Sequence, residues 1–274
     1  MKSLNNMVND WNNIVSDPIK EKEAIPTNFS DFDQYFEGIR EGELILLGAR
    51  PGMGVTQFLI NLTLSLKDRP TLYFTYENDL ATISKRINHV LTNTPLKDVI
   101  AVHSELVHPA IKERIYFDDL VKISLPKLIS RLKIQIEDLG LKVIIIDSIH
   151  LLKARNRSNK IANYTKITAE LKKLAIETNT TIVTSITLNS QLEKKVNLKP
   201  QLIDFRKSAQ ISDDVDKVIL LYRANYYGKT HLDFPLENRM EVFVEKNSIG
   251  NTGNIDLLIH PSGALIKANQ GFPE

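Results

Sequence analysis

Residues 49–56 have the form of a phosphate-binding loop that lacks its lysine. They read Ala-Arg-Pro-Gly-Met-Gly-Val-Thr, whereas the standard loop reads Gly-x-x-x-x-Gly-Lys-Ser/Thr. In the standard loop the backbone N–H groups cradle the phosphates, the lysine reaches the outer phosphates, and the hydroxyl binds Mg²⁺. Gly54 and Thr56 are kept, while Ala49 replaces the first glycine and Val55 replaces the lysine. The predicted nucleotide-binding residues of the loop are Arg50, Pro51, Gly52, Met53, Gly54, Val55 and Thr56.

Two acidic residues follow predicted strands and could act on a nucleotide held by this loop. Asp147 ends the apolar run 143–146, and Glu77 follows the run 71–75. In α/β proteins, ligands bind at the edge of the sheet where the parallel strands end. Asp147 is therefore predicted to hold Mg²⁺ together with Thr56, and Glu77 to orient an attacking water. The alternatives are a helix cap for Asp147 and an ordinary solvated side chain for Glu77.

The elements that must position these residues alternate along the chain. Six short apolar runs predict strands, at 44–47, 71–75, 115–117, 143–146, 181–186 and 218–222. Four stretches predict helices, at 56–66, 80–93, 125–139 and 161–178. Strands separated by helices indicate βαβ units around a mainly parallel sheet, so the fold class is α/β. Three further runs predict antiparallel carboxyl-terminal strands, at 240–245, 255–260 and 264–268, with a turn at 261–263.

The first 24 residues differ from the rest of the chain. Apolar residues recur there at helical spacing, namely Leu4, Met7, Val8, Trp11, Ile14 and Val15. Asp17-Pro18 ends this short helix. The helix either folds onto its own domain or docks on a neighbouring subunit. We therefore predict two parts, an amino-terminal linker or docking helix over 1–24 and one large domain over 25–274.

The composition is that of a globular protein rather than of a membrane or secreted one. The chain has 274 residues, of which 42% are apolar, and it has no cysteine for disulfides or thiolate metal sites. Its apolar runs are too short to cross a bilayer and no secretory signal is visible, so a cytoplasmic location and no membrane partner are expected. The net charge of +2 does not argue for nucleic acid. The basic residues between 153 and 160 could line a DNA channel or form a solvated loop.

Many ordered segments resemble one family. The opening segments 24–33, 42–46 and 49–54 are similar to the motor domain of the bacterial replicative DNA helicase (DnaB-type) family. The similarity continues through shorter segments at 76–78, 145–147, 169–175, 204–208, 211–216, 221–223, 226–227, 246 and 250–253. It covers about residues 24–272. The resemblance implies a RecA-like P-loop NTPase fold, ATP and Mg²⁺ as cofactors, and a ring oligomer that moves on single-stranded DNA.

The resemblance also implies roles for individual residues. Thr56 and Asp147 would hold Mg²⁺, and Glu77 would be the catalytic carboxylate. Lys246 would reach the γ-phosphate of the nucleotide bound to the neighbouring subunit. A loop formed by Arg206, Lys207, Ser208 and Ala209 would touch the DNA backbone.

Four positions depart from the family pattern, and three of these changes remove groups that would face the triphosphate. Val55 replaces the phosphate lysine, and Ser248 stands at the place of the arginine finger. Thr187 replaces a glutamine that senses the γ-phosphate, and Ser190 replaces an arginine. Because an arginine finger alone contributes about 10³–10⁵ in rate, hydrolysis is expected to be weak or absent.

Three hypotheses about function follow. The first is a hydrolysis-impaired domain of this family that acts in DNA replication by binding single-stranded DNA or a helicase or other replication partner. The second is an active ATP-dependent DNA helicase in which other cations substitute, the candidates being Arg50, Lys67, Arg223 and Lys246. The third is a RecA-like scaffold without a nucleic-acid role.

Overall fold

One mixed sheet forms the centre of the molecule. The structure, a computed structural model, describes residues 24–66, 68–99, 113–119, 123–149, 152, 160–194, 198–205, 211–228, 238–264 and 266–268. The helix predicted within residues 1–24 falls almost entirely outside the described residues, as does the predicted DNA loop 206–209. The division of the chain at residue 24 stays a prediction.

The strands of the described part fall into one small and one large sheet. The small sheet pairs β1 (Ala24–Ile25) with β2 (Ile39–Arg40). The large sheet contains β3 (Leu44–Ala49), β4 (Thr71–Thr75), β5 (Ile115–Asp118), β6 (Val143–Asp147), β7 (Thr181–Thr187), β8 (Lys217–Tyr222), β9 (Arg239–Asn247), β10 (Gly253–Ile259) and β11 (Ile266–Ala268). Their order is β11-β10-β9-β8-β3-β7-β6-β4-β5. The pairs from β8 to β5 are parallel, and those from β8 to β11 are antiparallel.

Helices cover the sheet and connect its strands. In the described residues they are α1 (Ser30–Phe36), α2 (Val55–Ser65), α3 (Leu80–Thr92), α4 (Leu125–Leu139), α5 (Lys160–Thr178) and the single turn α6 (Ile211–Asp214). Short 3₁₀ turns lie at Leu96–Asp98, Ser190–Lys194, Leu202–Phe205 and Ala224–Tyr227. The predicted α/β fold with an antiparallel carboxyl-terminal edge is confirmed.

The sequence explains where two of these helices begin and end. The Asp79 side chain accepts a hydrogen bond from the Thr82 N–H at 2.7 Å, which caps the start of α3. Helix α4 ends at Gly140, whose φ of +61° gives the left-handed conformation that favours glycine after a helix.

The core lies on both faces of the central strands. Every residue of β3, β4, β6 and β8 is buried, as expected for parallel strands covered on both sides. Alternate residues of β3 point to opposite faces. Ile45 and Leu47 belong to the cluster that includes Leu59 of α2, whereas Leu44 and Leu46 belong to the cluster that includes residues of α4 and α5.

The register of the parallel strands brings their carboxyl ends together. Ala49 of β3 pairs with Thr187 of β7, and Thr75 of β4 pairs with Asp147 of β6. The loop after β3, the segment after β4 and the end of β6 therefore meet at one edge of the sheet. This edge is where the candidate site lies.

Candidate functional site

A cleft of about 580 Å³ opens at the carboxyl ends of β3, β6 and β7. Its walls come from the phosphate-loop segment, the start of α2, the segment after β4, helix α3 and the ends of β6 and β7. The lining residues are Ala49, Arg50, Pro51, Gly52, Gly54, Val55, Thr56, Gln57, Glu77, Arg86, Asp147, Ser148, Ser185, Ile186 and Thr187. The structure thus brings most of the site residues predicted from the sequence to one cleft.

The loop between β3 and α2 takes a conformation that requires glycine. Gly52 and Gly54 have φ values of +83° and +89°, which side chains with a β-carbon rarely adopt. A β-carbon on Gly52 would also clash with the ring of Tyr226. Helix α2 begins directly after Gly54. The N–H groups at a helix start bind anions, so the backbone of a phosphate site is present.

Val55 is the first residue of α2 and stands where the standard loop has its lysine. Its side chain is half-buried and packs against the core cluster that includes Phe58 and Leu59. An apolar group at this place offers no charge to phosphate oxygens.

Asp147 is held by three hydroxyl groups from three different elements. Its Oδ2 accepts hydrogen bonds from Thr56 Oγ1 at 2.8 Å and from the Tyr73 hydroxyl at 2.9 Å. Its Oδ1 accepts one from Ser185 Oγ at 2.8 Å. Asp147 is buried, with 3% of the residue exposed. Burial, followed by the charge of Asp147, raises the pKa of Tyr73 well above its usual value of 10.0, so this phenol stays a donor at neutral pH.

The remaining acidic residue, Glu77, lies at the rim of the cleft. It follows β4 by two residues and its side chain is exposed. Among the described residues, Glu77 and Asp147 are the two carboxylates that line the cleft. An exposed carboxylate at this place can reach a water molecule in the cleft.

Arg50 lines the cleft, but its guanidinium is held by neighbours. Nη1 donates to the carbonyl oxygen of Leu188 at 2.7 Å. Nε and Nη2 donate to Oε1 of Glu193 at 3.0 and 2.8 Å. The positive charge of the loop arginine is therefore paired with a carboxylate after β7.

Arg86 of α3 is a lining cation that the sequence reasoning missed. Its Nε is buried without a hydrogen-bond partner, and none of the described carboxylates forms an ion pair with it. The sequence signal for Arg86 is weak, since an arginine on an amphipathic helix is usually solvent-exposed. Tyr73 and Ser185 were missed for a different reason, because only the sheet register brings them to Asp147.

Three other predicted residues lie away from the lining. The Met53 side chain is 1% exposed in the core, and its sulfur accepts a hydrogen bond from the Arg223 N–H at 3.3 Å. Lys246 of β9 is half-buried, with Nζ 3.5 Å from the carbonyl oxygen of Asp213. The Ser248 hydroxyl donates to the carbonyl oxygen of Asp216 at 3.1 Å.

Arg223 lies behind the phosphate loop. Its Nη1 would be 4.0 Å from a β-carbon on Gly54, and its Nε is buried without a partner. Burial lowers the pKa of its guanidinium below the usual value for arginine.

The oxygens beside the loop suit a magnesium ion that is bound together with a nucleotide. Mg²⁺ prefers one or two carboxylates completed by water and by phosphate oxygens. Thr56 and Asp147 provide such oxygens within one hydrogen bond of each other. The described residues contain no group of three or more His, Cys, Asp or Glu side chains that could hold a metal by themselves. The site therefore fits Mg²⁺ only with phosphates present.

Comparison with known proteins identifies the family. The sequence model of the family described as "DnaB-like helicase C terminal domain" matches residues 24–265. The Replicative DNA helicase DnaB of Helicobacter pylori (strain J99) is 28% identical over an alignment of 273 residues, and the match covers 92% of this chain and 54% of that protein. The Probable replicative DNA helicase of Trieres chinensis is 26% identical over an alignment of 250 residues, and the match covers 85% of this chain and 55% of that protein. The chain thus spans about half the length of the curated relatives it matches.

Solved structures agree on the fold. One of them, described as an ATPase domain, superposes with a TM-score of 0.78 at 22% identity and covers 98% of this chain and 100% of that one. A DnaB-like replicative helicase, solved in a study of its interactions with primase, gives a TM-score of 0.83 at 22% identity and covers 98% of this chain and 68% of that one. Among the described helices, none combines the length and the apolar character needed to span a membrane. The predicted resemblance is confirmed: the chain belongs to the DnaB-like helicase C-terminal domain family.

Proposed function

We propose that this protein acts in DNA replication as a helicase-family domain with little or no ATP hydrolysis of its own. The observation that supports the proposal most directly is the wall of the cleft at the start of α2. There Val55 packs on the core at the position of the phosphate-binding lysine. The hydroxyl expected at such a site is still supplied by Thr56, and the carboxylates by Asp147 and Glu77. Phosphoryl transfer depends mostly on positioned positive charge, and this cleft has lost a major source of it.

The charges that line the cleft support slow rather than fast ATP hydrolysis. Arg50 is paired with Glu193, so its field at the loop is partly cancelled. Thr187 and Ser248, at positions where the family has a glutamine and an arginine, offer neutral hydroxyls. Among the described lining residues, two carboxylates then face a polyanion with few unpaired cations, which raises the energy of both the bound nucleotide and the transition state.

ATP and Mg²⁺ are proposed as weakly bound ligands. Thr56 and Asp147 would hold the metal, and the loop N–H groups at 52–56 would contact the phosphates. When bound, Mg²⁺ would neutralise part of the phosphate charge. Glu77 is proposed to orient a water molecule in the cleft. Because Val55 and Ser248 replace the cations that would stabilise the transition state, the contribution of Glu77 to the hydrolysis rate is small.

Single-stranded DNA and another replication protein are the proposed partners. Relatives named as replicative helicases support a place in replication, and one structural relative is a helicase whose interactions with primase were studied. The segment Arg206, Lys207, Ser208 and Ala209 is proposed to contact the DNA backbone. A second copy of the chain is a further proposed partner, since Lys246 does not line the cleft of its own subunit.

The DNA-binding part of the proposal predicts a salt-dependent affinity. Replacing Arg206 and Lys207 by alanine should weaken binding of a fluorescent poly-dT strand and reduce the slope of log K against log[salt] by about 1.4, since each phosphate contact on a single strand contributes about 0.7. A double alanine variant of the exposed Lys133 and Lys173, which pair with Glu177 on the surface, is the control. A wild-type affinity that does not change with salt would favour the scaffold without a nucleic-acid role.

A second candidate function is an active ATPase with a substituted cation, and Arg86 is the specific observation in its favour. It lines the cleft and has neither an ion-pair nor an Nε hydrogen-bond partner in the described part of the chain. Arg223 has a similar but more distant place behind Gly54. A half-buried arginine without an anion is costly, and a phosphate in the cleft would compensate it.

This candidate predicts a large effect of one substitution. If Arg86 supplies the missing charge, Arg86→Ala should lower Mg-ATP affinity at least about tenfold and hydrolysis by about 10²-fold or more, while Arg86→Lys should retain part of both. Lys85→Ala, which removes an exposed neighbouring cation on α3, is the matched control. Calorimetric titration and phosphate release measure the two effects. Equal binding by Arg86→Ala and Lys85→Ala would leave Arg86 with a structural role only.

A further inference from the structure

The hydroxyl of Tyr73 makes an unusual contact with the proposed metal-site carboxylate. Tyr73 lies in β4, where it pairs with Ile145 of β6, and it is fully buried. Its ring packs against Phe117 at a centroid distance of 5.8 Å, which fixes its position. The hydroxyl reaches Oδ2 of Asp147 at 2.9 Å from below the cleft. A phenyl ring without the hydroxyl would fill the same space in the core. The hydroxyl group therefore adds a specific contact beyond packing.

Together with Thr56, this contact leaves Oδ2 of Asp147, the carboxylate oxygen beside Thr56, without an unoccupied lone-pair site for a cation. A carboxylate has about four lone-pair sites, and hydroxyls of Thr56, Tyr73 and Ser185 occupy three of them. Thr56 can donate to Asp147 and still offer a lone pair to a metal. The Tyr73 hydroxyl has no such second role, because its ring lies in the core away from the opening of the cleft.

The same three hydroxyls also remove the need for a cation when the cleft is empty. A buried charge is costly unless hydrogen bonds compensate it, and bonds to a charged acceptor are stronger than neutral ones. Asp147 is compensated without an ion-pair partner among the described residues. The site can therefore keep its shape without a metal.

We propose that Tyr73 is a positioning residue that holds Asp147 in place in the metal-free protein and weakens Mg²⁺ binding there. The inference rests on the proposed nucleotide site. It gives a second reason, independent of Val55, why Mg²⁺ and nucleotide would bind weakly. Removing the hydroxyl should have two effects of opposite sign. The metal-free protein becomes less stable, and Mg²⁺ binds more tightly.

Tyr73→Phe tests this directly, with Tyr76→Phe as the matched control. The Tyr76 hydroxyl is also buried but has no hydrogen-bond partner in the described part of the molecule, so its loss removes a hydroxyl without removing a contact. Thermal unfolding is followed in EDTA and across a Mg²⁺ series with fixed ADP. Tyr73→Phe should unfold at a lower temperature in EDTA, and its half-maximal Mg²⁺ concentration should fall about tenfold. Tyr76→Phe should match the wild type in its Mg²⁺ dependence.

The outcomes separate this inference from the proposed function. The role of Tyr73 is overturned if Tyr73→Phe and the wild type respond to Mg²⁺ in the same way. This includes the case in which Mg²⁺ changes the unfolding temperature of neither protein. If Tyr73→Phe unfolds too readily for the thermal assay, calorimetric titration of the ADP-loaded variant with Mg²⁺ at low temperature must show the same shift of about tenfold. Binding of single-stranded DNA by the same samples without nucleotide tests the proposed function, and its absence from the wild type counts against that function alone.

Discussion

Replacing Val55 by lysine is expected to raise the affinity for Mg-ATP at least about tenfold. One unit-charge contact at about 4 Å is worth about 4 kcal/mol at an effective dielectric of about 20. Desolvation offsets much of this, and a net gain of about 1.4 kcal/mol already gives the tenfold change. The lysine stem can follow the apolar path of Val55 while its ammonium reaches the cleft. Fluorescence titration with a labelled nucleotide at fixed Mg²⁺ measures the effect.

Val55→Met is the control for this substitution. Methionine has a long unbranched side chain but no charge, so it reproduces the change in shape and helix propensity without the ammonium. Only Val55→Lys is expected to gain affinity. An equal gain by both variants would mean that the shape of Val55, rather than its lack of charge, limits binding.

Lys217→Ala is expected to cost about 3–5 kcal/mol of unfolding free energy, because it leaves a buried carboxylate without its partner. Lys217 Nζ lies 3.0 Å from each carboxylate oxygen of Glu43, and the two side chains are 1% and 5% exposed. Glu43 Oε2 also accepts the Arg40 N–H at 2.9 Å, which connects β2 to the start of β3. Loss of this pair should therefore loosen the strand that leads into the phosphate loop. Urea unfolding measures the change.

The double variant Lys217→Met with Glu43→Gln is the matched comparison. Replacing both charges removes the uncompensated carboxylate, and the glutamine carbonyl still accepts the Arg40 N–H. Its stability should lie within about 2 kcal/mol of the wild type, as is common when a buried pair is replaced as a unit. If the single and double variants were equally destabilised, packing rather than charge would explain the loss.

The sequence predicts a helix or strand well where the residues of that element alone determine its bounds. Strand β6 is a run of four β-branched residues before Asp147, and its bounds were predicted within one residue. Helix α4 was predicted at its observed bounds because its apolar stripe and Gly140 are local signals. Strand β9 extends beyond its predicted ends on both sides, since its outer residues are set by pairing with β8 and β10.

The site is predictable only where the sequence motif and the site coincide. The loop residues and Asp147 are adjacent to recognisable strands, so the motif identifies them. Tyr73 and Ser185 contact Asp147 from strands 74 and 38 positions away in sequence, and such contacts follow from register, which the sequence does not give. The pairing of Arg50 with Glu193, 143 positions apart, likewise could not be foreseen.

Steady-state ATP hydrolysis by the purified wild-type protein tests the central claim most directly. The assay uses millimolar Mg-ATP with saturating single-stranded DNA, and an Asp147→Asn preparation made in parallel reports any contaminating activity. Because the lysine and arginine positions hold Val55 and Ser248, the predicted rate is close to that of the Asp147→Asn preparation. A Mg²⁺-dependent rate of about one turnover per second, within the ordinary range of enzymes, that is absent from Asp147→Asn would contradict it.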